Sequence, residues 1–149
     1  MRLKYGRRIA LSRFVGGIMA RTIAGTMDGL LIPVPLHRWR IWSRGFNQSY
    51  ALAQAIAIET GMATNAEILV RSKRTPLLRG LGADQRKRAV AGAFSIHPAL
   101  RSALAGRNVI LVDDVYTSGA TANACARVLK RAGASSVTVL CWARVLRPD

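Results

Sequence analysis

Acidic side chains are scarce in this sequence: seven Asp and Glu stand against 23 Lys and Arg in 149 residues, a formal charge of +16. A field of that sign attracts phosphates, nucleic acid or anionic membrane surfaces, and composition alone does not choose among them. Aromatic residues are sparse as well, at 6%. The core must therefore be built from Ala, Val, Leu and Ile, as in α/β proteins rather than aromatic-rich β sandwiches. The only two cysteines, Cys125 and Cys141, cannot furnish a four-ligand metal site and form no CxxC pair. They read as reduced, buried thiols in a helix and a strand, which fits a reducing compartment.

Long apolar runs are missing too. A membrane span needs about 18 or more such residues, and the best stretch, 14–36, is interrupted by Arg21, Asp28, Pro33 and Pro35. The basic start MRLKYGRR has neither a following apolar segment nor a small-residue cleavage site. It is not read as a secretory signal, and the cytoplasm is the expected location. Neither GxxxxGK[ST] nor GxGxxG occurs, which excludes the Walker A loop and the common dinucleotide fingerprint.

What is present suits one domain, with half of the residues apolar and a length sufficient for its own core. Residues 9–24 carry Ile9, Phe14, Ile18 and Ile23 at helical spacing and predict a helix. Residues 30–34 predict a short strand. Residues 47–60 predict an Ala-rich helix with Leu52, Ala53 and Ile56 on one face and Gly61 as its stop. A strand is expected over 67–71 and another over 93–96, joined by a long mobile loop, 71–92, with room for a short helical turn. The continuous apolar run 109–112 predicts a parallel strand buried on both faces. A helix over 120–132, closed by Gly133, and a strand over 136–142 complete a β-loop-α-β unit. The expected class is α/β, a parallel sheet with helices on both faces.

The stretch VILVDDVYTSGAT within that unit carries the clearest chemistry. Asp113 and Asp114 sit where ligands bind in open α/β sheets, at the carboxyl end of a buried strand. The loop behind them, Val115, Tyr116, Thr117, Ser118, Gly119, Ala120 and Thr121, opens a helix. Free N–H groups and the positive end of the helix dipole suit a phosphate dianion, and Gly119 lets successive N–H groups converge. Carboxylates repel phosphate, so the acids must face another part of the ligand. A ribose diol is one partner for them, and Mg²⁺, directly or through water, is a second. The bland alternative is that Asp114 and Thr117 merely cap the helix.

These thirteen residues resemble the signature by which type I phosphoribosyltransferases bind 5-phosphoribosyl 1-diphosphate (PRPP). Two further blocks, Pro33 to His37 (PVPLH) and Arg44 to Gln48 (RGFNQ), resemble the ComF family of competence-associated proteins, and the likeness runs along nearly the whole chain. It implies a type I phosphoribosyltransferase-like fold. It also implies that Asp113 and Asp114 bind the ribose hydroxyls and that Val115 to Thr121 hold the 5-phosphate. By the same resemblance, Pro35, Leu36, His37 and Arg38 would lie at the diphosphate. Arg74, Arg79, Arg86, Lys87 and Arg88 would belong to a flexible loop closing over PRPP, with Mg²⁺ accompanying the diphosphate. Members of that family usually carry an N-terminal cysteine-rich zinc module. The present sequence starts without one, so zinc is not expected.

Two functional readings follow. One is a phosphoribosyltransferase using PRPP and Mg²⁺ with an unknown acceptor. The other is a non-catalytic PRPP-sensing module that binds single-stranded DNA. HRWRIWSRGFNQ interleaves Arg38, Arg40 and Arg44 with Trp39 and Trp42, a pattern that fits phosphate contacts and base stacking. Equally, Trp42 and Phe46 can bury against the sheet and leave the arginines solvated. Asn47 and Gln48 read either as helix N-terminal residues or as ligand contacts. His97, Arg127, Lys130 and Arg131 read as surface residues, and a homodimer is a further expectation.

Overall fold

A parallel sheet is the frame of the molecule, and the apolar run of its central strand explains why. The computed structural model describes residues 2–36, 46–73, 75 and 80–145, with the side chains of the first helix described from Ala10 onward. In chain order the elements are α1 (Arg2–Ile23), β1 (Leu30–Pro33), α2 (Gln48–Thr60), β2 (Leu69–Arg71), α3 (Ala83–Ala89) and β3 (Phe94–Ile96). A 3-10 segment (Pro98–Leu104), β4 (Asn108–Tyr116), α4 (Ala120–Arg131) and β5 (Ser136–Arg144) follow. The main sheet has the order β1-β4-β5, with both pairings parallel. Thr64 adds a parallel bridge to Leu31 on the outer side of β1.

Strand alternation divides β4 between two cores. Val109 and Leu111 face one side, against Ala122, Cys125 and Leu129 of α4 and Phe94 of β3. Ile110 and Val112 face the other, against Met19 and Ile23 of α1 and Leu52 and Ile56 of α2. Full burial of one such aliphatic side chain contributes roughly 1.5–3 kcal/mol. Both faces of β4 are covered that way, which is why its sequence reads as an unbroken apolar run rather than as an alternation. Helices thus lie on both faces of a parallel sheet, as the sequence predicts.

The structure adds to or departs from the expectations at four places. The buried stripe of α1 is Ser12, Val15, Met19, Ala20 and Ile23, whereas Phe14 is 68% exposed. Gly16 decides this, since a Cβ there would overlap the Ala55 Cβ of α2, so the helix turns its small residues inward. The segment expected as a loop with room for a short helical turn holds two turns of helix, α3, whose Gly82 N–H donates to the Gln85 side chain at 3.0 Å. The 3-10 segment, opened by Pro98, was not signalled by any periodicity. Lastly, β4 continues to Tyr116, four residues beyond the expected end.

Strands β2 and β3 form a separate antiparallel pair at the root of the expected flexible loop. That root is fixed: Arg71 is buried, bonds the Thr75 hydroxyl through its guanidinium and lies over the Phe94 ring at 5.3 Å. Arg86 is half-buried while Lys87 and Arg88 are exposed. Arg74 and Arg79 lie outside the described residues.

Candidate ribose-phosphate site

Because β4 runs on to Tyr116, Asp113 and Asp114 lie inside the strand rather than beyond it. Their carboxylates stay within reach of each other, the Asp114 side chain adding to the upward shift of Asp113, while Asp113 also reaches Ser49 of α2. The ladder to β5 joins Asp113 to Cys141, then resumes at Val115 and Ala143. At this irregularity each carboxylate turns back on the chain. Asp113 Oδ1 accepts the Asp114 N–H at 2.9 Å, and Asp114 Oδ1 accepts the Val115 N–H at 2.8 Å. Both side chains are half-buried, neither sealed in the core nor fully in solvent.

The two acids differ in their surroundings. Asp113 also accepts a hydrogen bond from the buried Ser49 hydroxyl at 3.1 Å, which ties β4 to the first turn of α2. Burial pushes the Asp113 carboxyl up to about 7, the Asp114 charge adds to this, and the Asp114 N–H and Ser49 hydroxyl pull it back. The Cys125 thiol beneath is pushed far up by burial and by the Asp113 charge, with Arg71 opposing. Cys125 is therefore an inert buried thiol, as expected, whereas Cys141 is only half-buried.

The loop after β4 has the geometry an anion needs. Gly119 adopts φ +74° as the residue preceding α4 and offers no side-chain cap. The positive φ favours glycine there, and a Cβ would also force the Tyr116 phenol to shift. The capping alternative for Asp114 and Thr117 fails, because neither side chain bonds the start of α4. Thr117, Ser118 and Thr121 surround the helix start, with Thr117 exposed and the other two half-buried. Among the described residues their hydroxyls bond no protein group, which leaves them open to a ligand. Arg144 of β5 stacks over the Tyr116 ring at 5.6 Å and brings a cation to the same rim.

Across the sheet, Pro35 and Leu36 emerge at the end of β1, close to the start of α2. Asn47 caps α2, accepting the Tyr50 N–H at 3.3 Å, and its amide donates to the Val34 carbonyl, also at 3.3 Å. It is a structural cap. Beside them opens a groove of about 850 Å³, lined by Leu36, Phe46, Tyr50, Ile58 and Val70 with Arg13 and Arg71. Its walls are mostly apolar and include Pro35 and Leu36 but none of residues 113–121, so it is separate from the β4–α4 loop. His37, Arg38, Trp39, Arg40, Trp42 and Arg44 lie outside the described residues. Ser49 is the site residue that sequence reasoning missed. Its signal was a small hydroxyl in the first turn of a helix aimed at the strand ends.

A model of the phosphoribosyl transferase domain matches residues 46–147, which include the acid pair and the loop. The chain belongs to the phosphoribosyl transferase domain family. Among curated relatives of this domain is the DNA utilization protein YhgH of Salmonella typhi, 36% identical over 97% of this chain and 65% of that protein. Another is competence protein F of Haemophilus influenzae, 36% identical over 76% of this chain and 49% of that protein. The ComF resemblance drawn from 33–37 and 44–48 is supported by both. The chain spans about 65% of the length of the first of these relatives. Among solved structures, glutamine PRPP amidotransferase from B. subtilis matches with a TM-score of 0.58 at 21% identity, over 88% of this chain and 26% of that one. That likeness is one of fold. Among the described residues no helix is long and apolar enough to cross a membrane.

Proposed function

We propose that this phosphoribosyl transferase domain binds PRPP along the β4–α4 segment and transfers its phosphoribosyl group to an acceptor with release of diphosphate. One observation carries the reading: two half-buried carboxylates in β4 are followed by a positive-φ glycine and unpartnered hydroxyls at a helix start. The N–H groups of 117–121 and the hydroxyls of Thr117, Ser118 and Thr121 hold the 5-phosphate, each bond to the charged group contributing roughly 1.5–3 kcal/mol. Asp113 and Asp114, neighbouring carboxylates, take the ribose hydroxyls. Asp113 is held by Ser49 and pushed toward its protonated form by burial.

The chain's own part is positioning and charge stabilisation. Carboxylates beside the ribose stabilise positive charge developing at C1 as the bond to diphosphate breaks. Among the described residues no group of three or more His, Cys, Asp or Glu forms a metal cage, so Mg²⁺ fits here only with ligand oxygens completing its shell. Mg²⁺ would neutralise the leaving diphosphate. Residues 35–38 and the basic run of α3, Arg86 to Arg88, are the proposed diphosphate contacts, and the cytoplasm is the proposed setting. Incubation with PRPP and Mg²⁺ against a panel of bases, ammonia and nucleic acids tests the reading. Acceptor-dependent diphosphate release that Asp114→Asn abolishes supports it, and release unaltered by that change contradicts it.

A second reading, a PRPP-sensing module engaging DNA, is favoured by the +16 charge and by the relatives' names, which concern DNA utilization and competence. Both activities are compatible in one chain.

A further inference from the structure

The end of the sheet opposite the β4–α4 loop collects positive charge from three separate segments. Arg101 in the 3-10 segment donates to the Arg131 carbonyl at the end of α4, at 3.3 Å. Lys130 Nζ donates to the Ser135 carbonyl at 2.7 Å, and the Ser135 N–H donates to the Arg107 carbonyl at 2.8 Å. Arg127 lies one helical turn before Arg131 on α4. All five residues are exposed, and none forms an ion pair among the described residues. No acid occurs in 97–112 or 115–148. Asp28, exposed, precedes the Gly29 packed on Asn108.

We propose that Arg101, Arg107, Arg127, Lys130 and Arg131 form a docking surface for the phosphate backbone of nucleic acid. Arg101 and Lys130 brace backbone carbonyls, whereas the side chains of Arg107, Arg127 and Arg131 bond no protein group among the described residues, so their charge is available to a polyanion. Two observations select the partner. None of the exposed large apolar side chains lies within 98–107 or 120–135, so the surface has no wedge for a bilayer and no apolar anchor for a protein. Those segments also contain no aromatic residue, so bases are not stacked there and binding reads the backbone, independent of sequence. The 12 residues of α4 separate the cluster from the phosphate loop by roughly 18 Å. A strand docked here leaves the β4–α4 loop open, and the inference rests on the DNA-engaging reading above rather than on what that loop binds.

Binding of labelled oligothymidylate against salt tests it, with three proteins compared. One is the wild-type chain, one is Arg101→Gln/Arg127→Gln/Arg131→Gln, and one is Arg13→Gln/Arg21→Gln/Lys73→Gln, which removes the same charge elsewhere. The first triple variant is expected to bind at least tenfold more weakly, with a salt slope shallower by about 0.7 for each phosphate no longer neutralised. The second is expected to stay much closer to wild type. Single Gln variants give the same comparison should a triple one fold poorly. Equal weakening of both triple variants shows that net charge alone acts and overturns the proposal. So does a wild type that ignores the oligonucleotide, or a first variant that loses only binding to phosphatidylserine vesicles.

Discussion

The Ser49 hydroxyl reaches from the first turn of α2 to Oδ1 of Asp113 in β4, at 3.1 Å, and joins two segments 64 residues apart. Ser49 lowers the carboxyl's proton affinity against the burial that raises it to about 7. Ser49→Ala is expected to move the Asp113 titration still higher, and Ser49→Thr to restore it. Carboxyl-carbon NMR without ligand reads this directly. PRPP affinity near neutral pH falls in the same order, because less of Asp113 is ionised.

Asp113 also makes stability depend on pH. Folded, it keeps its proton up to about 7, and unfolded it releases it near 3.8. Between those values the folded state binds more protons than the unfolded one, so this contribution to stability falls as pH rises through the window and is level above it. Asp113→Asn removes the slope. Urea unfolding at about pH 4.5 and about pH 7.5 is expected to show the variant gaining on wild type at the higher pH, by on the order of 2 kcal/mol. It loses ribose binding at the same time, a stability cost carried for function.

Gly119 is held at φ +74° with the Tyr116 phenol against it. Gly119→Ala is expected to cost about 1–3 kcal/mol in stability and to weaken inorganic phosphate binding more than tenfold. Thermal unfolding and phosphate titration separate the two effects. Adding Tyr116→Ala relieves the clash but not the backbone strain, so it restores only part of the stability.

In α1 the usual preference for Ala over Gly is expected to reverse. Gly16→Ala would bring two Cβ atoms together at Ala55, and overpacking of this kind costs about 1–3 kcal/mol. Ala55→Gly in the same chain should recover part of that loss, giving a coupling in a double-mutant cycle that independent sites do not show.

The central strand was legible because burial on both faces forces an unbroken apolar run, and the helix start after Gly119 was legible because its chemistry is local. What was not legible depended on contacts distant in sequence. The inward face of α1 follows from Ala55 on α2, not from the apolar spacing of Ile9, Phe14 and Ile18. The extension of β4 through Asp113 to Tyr116 follows from pairing with Cys141, Ala143 and Arg144 of β5, which overrides the poor strand preference of aspartate. The link from Ser49 to Asp113 required the two strand ends to be placed side by side. The convergence of Arg101 and Arg107 on α4 is of the same kind.

The most direct test of the account is a titration of isotope-labelled protein with PRPP and Mg²⁺, followed by amide NMR. The account predicts the largest shifts at residues 113–121, saturable, and lost in Asp114→Asn. Shifts confined to the groove lined by Phe46, Tyr50 and Ile58, with 113–121 unmoved, would contradict it.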